Sequence, residues 1–129
     1  MNVEDFCPIA RTAELIGDVY VLLIVRDLAK GPRRFGELAR SVRANSRTLS
    51  DRLRRLEVEG IVRRTAYPEI PPRVEYELTE KGRGLVSVLE AMRQYGTRWL
   101  LAGTAGGVGA GAPARGPGEG ETGGAPDRG

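Results

Sequence analysis

The chain contains no histidine and a single cysteine, Cys7. Histidine-based acid–base catalysis is therefore excluded, and one thiol cannot assemble a metal site. A lone cysteine also forbids an intrachain disulfide, which fits a reducing compartment, and a cytoplasmic location is expected. Aromatic residues are few, with one Trp, two Phe and four Tyr. A chain of 129 residues with so few large rings builds only a modest core, and a partner surface would add to its stability. Long apolar runs are missing too. The longest, Val19 to Val25, is closed by Arg26, far short of the roughly 20 residues a membrane span needs. No phosphate-binding loop, paired-carboxylate cleft or Ser-His-Asp arrangement is visible, so neither an enzyme nor a cofactor is expected.

What is present is unevenly spread. The net charge is only +3, yet residues 30–64 hold eleven basic against four acidic residues, a local net of +7. The remainder therefore nets −4. One cationic element on a mildly acidic body is the footprint of a polyanion binder, although a solvated charged face gives the same count. Beyond residue 101 the composition becomes Gly, Ala and Pro with scattered charges. Such a segment has too little apolar surface to offset its ordering entropy. The expected organisation is one domain over residues 1–101 and a disordered tail over 102–129.

The first hundred residues are expected to be mainly helical with a small hairpin, an α+β arrangement. Pro8 suits the first turn of a helix reaching about Leu15. A second helix, residues 19–29, is apolar all round and reads as the buried centre. A short helix follows from about Phe35 to Arg40, and residues 41–45 form a turn. Ser46 is the expected cap of the next helix, residues 47–59, whose Leu49, Leu53 and Leu56 form one apolar face. Arg47, Asp51, Arg54 and Arg55 lie broadly opposite, with Thr48 and Arg52 on the flanks. Residues 61–67 and 73–78 alternate as strands around a proline-rich tip. Thr79 then caps one long helix carrying Leu85, Val88, Leu89, Met92, Tyr95 and Trp99. Two helices joined by a turn, followed by a two-stranded wing, is a winged helix-turn-helix.

The motifs carried by this frame resemble the HxlR-type branch of MarR-like winged-helix regulators. They include Cys7-Pro8, Leu15-Ile16-Gly17, Gly31-Pro32-Arg33-Arg34-Phe35-Gly36-Glu37-Leu38 and Leu49-Ser50-Asp51-Arg52-Leu53. The most distinctive are Tyr67-Pro68-Glu69-Ile70-Pro71-Pro72-Arg73-Val74-Glu75-Tyr76 and Leu78-Thr79-Glu80-Lys81-Gly82. Val19-Tyr20 stands where that family usually carries Lys-Trp. The resemblance implies a homodimer on double-stranded DNA, with dimerisation helices at both ends, and a cysteine at the position of Cys7 that senses oxidants or electrophiles in some relatives. A packed, inert thiol is the plainer reading of Cys7.

The residues support a DNA reading on their own terms. Ser46, Thr48 and Ser50 are short enough to let a helix approach base edges, and Arg47, Arg52, Arg54 and Arg55 reach guanines or phosphates. Asp51 either accepts from cytosine or fixes a neighbouring arginine. Arg33, Arg34, Arg64 and Arg73 are expected at the DNA backbone, where they position without reading sequence, and loss of Arg73 should lower the salt slope of binding by about one. Arg63 and Arg64 point to opposite faces, so only one of them meets DNA. Met92, Tyr95, Trp99 and Leu100 are expected to form the dimer interface. The competing reading is a winged-helix protein-interaction module, which the polar start of the cationic helix suits less well.

Overall fold

The computed structural model describes residues 7–101, so the segment expected to be disordered lies outside the described residues. Helix α1 runs Pro8–Ile16 and α2 runs Val19–Leu28. A short strand β1, Arg33–Arg34, leads into α3, Phe35–Val42, and then α4, Ser46–Val58. Strands β2, Val62–Tyr67, and β3, Arg73–Leu78, form the hairpin. A single turn of helix, α5 at Glu80–Arg83, is followed by α6, Val86–Tyr95, and a π-helical segment, Gly96–Leu101.

Each helix start has a local chemical cause. Cys7 Sγ accepts from Ala10 N, with Pro8 pre-set at the first helical position of α1. Asp18 Oδ1 accepts from Tyr20 N at 2.9 Å and Val21 N at 3.1 Å at the head of α2. The backbone N–H of Arg34 donates to Glu37 Oε1 at 2.8 Å, closing the first turn of α3. For α4 the expected cap is displaced by one residue. Asn45 Oδ1 accepts from Thr48 N at 2.8 Å, and Ser46 is already helical. Both residues suit a cap, and the extended backbone of Asn45 decides between them.

The turn between α3 and α4 passes through Arg43 at φ 60°, a left-handed conformation unusual for a residue with a β-carbon. The sheet order is β1-β3-β2, so β3 is central. β2 and β3 pair antiparallel from Val62↔Leu78 to Tyr67↔Arg73, and β1 adds Arg33↔Tyr76 and Arg34↔Glu75. A two-residue strand has no periodicity, so the sequence pattern marks only β2 and β3.

The core gathers Val21, Ile24, Val25 and Leu28 of α2 against Leu38 and Val42 of α3 and Leu49, Leu53 and Leu56 of α4. Ile61, Val62, Tyr76 and Leu78 complete it from the sheet side. α2 is central, packing on α3, α4 and β3, but it is not buried all round: Val19 is 61% exposed and Arg26 lies open. At the base of the hairpin, Thr79 N donates to Ile61 O and Thr79 Oγ1 donates to Gly60 O. Gly82 abuts this knot; a β-carbon there would sit 2.2 Å from Ile61 O.

The expected single C-terminal helix is divided. Gly84 is the C-cap of α5, and the next residue tightens the turn, Leu85 N donating to Gly82 O three residues back at 2.9 Å before α6 begins. The described residues divide into two units, residues 7–87 and residues 88–101. Within the second, none of its described residues is buried, and Met92, Tyr95, Trp99, Leu100 and Leu101 are all exposed. No helix among the described residues is long and apolar enough to cross a membrane.

Candidate nucleic-acid interface

Burial of Leu49, Leu53 and Leu56 fixes which side of α4 faces outward. At 100° per residue, that side presents Arg47, Ser50, Asp51 and Arg54, all exposed, with Thr48 and Arg52 half-buried beside them. The six line one shallow open depression. A second depression, lined by Ser50, Leu53, Arg54, Glu57, Arg64 and Tyr76, joins α4 to the strands of the hairpin. Alternation along β2 gives Arg64 to this concave side, while Arg63 Nε donates to Glu77 Oε2 directly across the ladder at 3.4 Å.

The arginines of this region fall into two groups. The side chains of Arg47, Arg54 and Arg64 hydrogen-bond or ion-pair with none of the described residues. The others are held. Arg52 Nε donates to Asp18 Oδ2 at 2.9 Å, and its Nη1 donates to Asp51 Oδ2 at 2.9 Å. Burial works against its charge, but the bonds and charges of Asp18 and Asp51 outweigh this and raise its pKa. Asp51 thus fixes a neighbouring arginine, one of the two alternatives its position allowed. Arg55, expected on the outward side, instead turns its Nη2 to the carbonyls of Glu14 and Leu15 at the end of α1. There the unpaired carbonyls of the last helical turn welcome a cation.

At the wing, Arg73 is enclosed. Its Nε and Nη2 donate to the Glu69 carboxylate, with Nη2–Oε2 at 2.8 Å, and its Nη1 donates to Glu75 Oε2 at 2.9 Å. Its guanidinium also lies 3.7 Å from the centre of the Tyr67 ring. The Arg73 hydrogen bond, reinforced by the charges of Arg73 and Arg34, holds the Glu69 carboxyl below its ordinary range. This closure bridges the two ends of the proline-rich tip and leaves Ile70 fully exposed at its apex.

Arg33 Nη1 donates to Gly31 O and Pro32 O, and Arg34 lies exposed on β1. Sequence reasoning missed Asp18, Glu69, Glu75 and Tyr67 as partners, and Arg43 in the turn. Only Glu69, at i,i+4 from Arg73 and beside prolines, carried a local signal. Cys7 is a half-buried free thiol, and no group of His, Cys, Asp and Glu among the described residues could hold a metal ion.

Residues 15–103 match the HxlR-like helix-turn-helix family. An uncharacterised HTH-type transcriptional regulator of Synechocystis is 46% identical over 95 residues, covering 73% of this chain and 70% of its own. Among solved structures, the redox regulator HypR in its oxidised form superposes with a TM-score of 0.68 at 36% identity, covering 71% of this chain and 96% of that one. The reduced transcriptional regulator YodB of Bacillus subtilis gives 0.66 at 35% identity, covering 76% and 98%. With its helix pair, wing and matched span together, the chain belongs to the HxlR-like helix-turn-helix family of transcriptional regulators.

Proposed function

We propose that the chain is a sequence-specific DNA-binding regulator that acts as a homodimer on a near-palindromic operator in the cytoplasm. The observation that carries this is the division of α4. Three leucines face the core, while Arg47, Ser50 and Arg54 stand outward with their polar groups open. The outward side enters the major groove, where Arg47 and Arg54 reach guanine edges or phosphates and Thr48 and Ser50 allow close approach. Arg64 from the wing strand, with Arg33 and Arg34, meets the sugar–phosphate backbone. Ser46 sits at the groove-facing start of the helix.

Dimerisation through exposed Met92, Tyr95, Trp99 and Leu100 would set two reading helices about 34 Å apart, one turn of duplex. Light scattering should return a dimer mass at micromolar concentration. Trp99, the single tryptophan, should shift its emission on dilution into monomers.

The binding experiment is a fluorescence-anisotropy titration over a salt series. Its probe is a duplex selected in vitro from a random-sequence pool. A steep loss with salt, retained preference for the selected duplex, and a slope smaller by about one for Arg64→Ala support the reading. Binding indifferent to all of Arg47→Ala, Arg54→Ala and Arg64→Ala would reject it.

Cys7 is proposed as the site of a redox or electrophile response. Its sulfur takes part in the start of α1, and HypR, to which the chain is similar, is a redox regulator. With one thiol per chain, the available products are an intersubunit disulfide or an adduct. Diamide should change DNA affinity in the wild type and not in Cys7→Ser.

A further inference from the structure

We propose that Asp18, which lies outside the helix-turn-helix, is a positioning residue for DNA reading: it holds α4 in its reading attitude through Arg52. This rests on the DNA-binding function proposed above. The Asp18 carboxylate is divided between two tasks. Oδ1 takes the N–H groups of Tyr20 and Val21 and starts α2, while Oδ2 takes Arg52 Nε at 2.9 Å. Both side chains are largely shielded, at 22% and 26% exposure, so water competes weakly for this bond.

A second tie lies almost one turn further along the same helix. Arg55 donates to the carbonyls of Glu14 and Leu15, four and three residues before Asp18. Both arginines thus fasten α4 to the junction of α1 and α2. The leucine face resists withdrawal of α4 from the core, but apolar contact is non-directional and restrains roll about the helix axis weakly. Directional bonds to Asp18 and to the end of α1 supply that restraint. At about 6 Å from the axis, a roll of about 20° moves a side chain by about 2 Å. That displacement ruins a bidentate contact, whose donor–acceptor distances vary by only a few tenths of an ångström.

Charge makes the proposal testable by sign. Asp18 is an anion beside a surface meant for a polyanion, so long-range electrostatics alone predicts that neutralising it tightens binding. Releasing Arg52 to a phosphate would tighten it further. A positioning role predicts the reverse.

The experiment uses the full chain and the selected duplex, with a random-sequence duplex in parallel. Asp18→Asn keeps the size and capping ability of the side chain while removing its charge. It should weaken binding to the selected duplex by about tenfold, lower the preference over random sequence and leave the salt slope unchanged. Arg52→Gln should do the same, and the double variant should lose no more than the larger single loss. Circular dichroism and melting of both singles check folding, and Arg52→Gln leaves the α2 cap untouched. Tighter binding by Asp18→Asn, or a slope smaller by about one for Arg52→Gln, would overturn the proposal, because Arg52 would then act on DNA directly. A wild-type chain that binds no duplex would instead remove the DNA reading beneath it.

Discussion

The outward side of α4 and the tip of the wing both carry arginine, yet in opposite states. On α4, Arg47 and Arg54 are open to a ligand. At the wing, Arg73 is closed by Glu69, Glu75 and the Tyr67 ring. Counting cations treats these positions alike; assigning partners separates them. A guanidinium whose three nitrogens already donate to two carboxylates offers a phosphate only its remaining N–H groups and little net charge, so its charge chiefly serves the shape of the loop. From this geometry we propose, against the expectation drawn from the sequence, that Arg73 adds little to the salt slope.

The most severe way to break the comparison is to remove both open arginines. Arg47→Ala with Arg54→Ala should cost about 1–3 kcal/mol per lost base contact and reduce the salt slope by up to about two. The melting temperature should stay within a degree or so of wild type, because neither side chain has a partner among the described residues. A smaller effect is expected at the closed arginine. Arg73→Lys keeps the charge and loses the planar fork, so affinity should fall about threefold with the slope unchanged. Retained affinity would mean that the charge, and not the closure, matters.

The closure should also respond to pH in a defined sense. Arg73 holds the folded Glu69 pKa below its ordinary value, so the bond is fully present above that value and is lost only as pH falls through the lower one. NMR signals of residues 67–73 should therefore stay constant from about pH 8 to about pH 5 and move only in more acidic solution. The smallest effect concerns Arg43. Glycine relieves the left-handed backbone there, and Arg43→Gly should raise stability by about 0.5–1 kcal/mol in a urea titration.

The fold was legible where a residue acts through its own neighbours. Leu49, Leu53 and Leu56 announce a helix face by spacing alone, and prolines flanked by alternating runs announce a wing. The distant partners of the arginines were not legible, because Arg52 meets Asp18 from 34 positions away and Arg55 meets Glu14 from 41. Helical geometry placed Arg55 outward correctly as an angle, but a long flexible stem lets the guanidinium fold back to α1. The break between α5 and α6 escaped for a related reason. Helical periodicity continues across it, and the pause shows in the backbone, where Leu85 N donates to Gly82 O three residues back.

Gly82 has a consequence for how freely this sequence can drift. Its α-carbon faces the Ile61 carbonyl with room for a hydrogen atom and nothing larger. Saturation mutagenesis at that codon should return glycine alone among stable clones, whereas exposed Lys81 and Arg83 on either side accept many replacements. One missing methyl group thus sets a boundary on the variation available to the base of the wing.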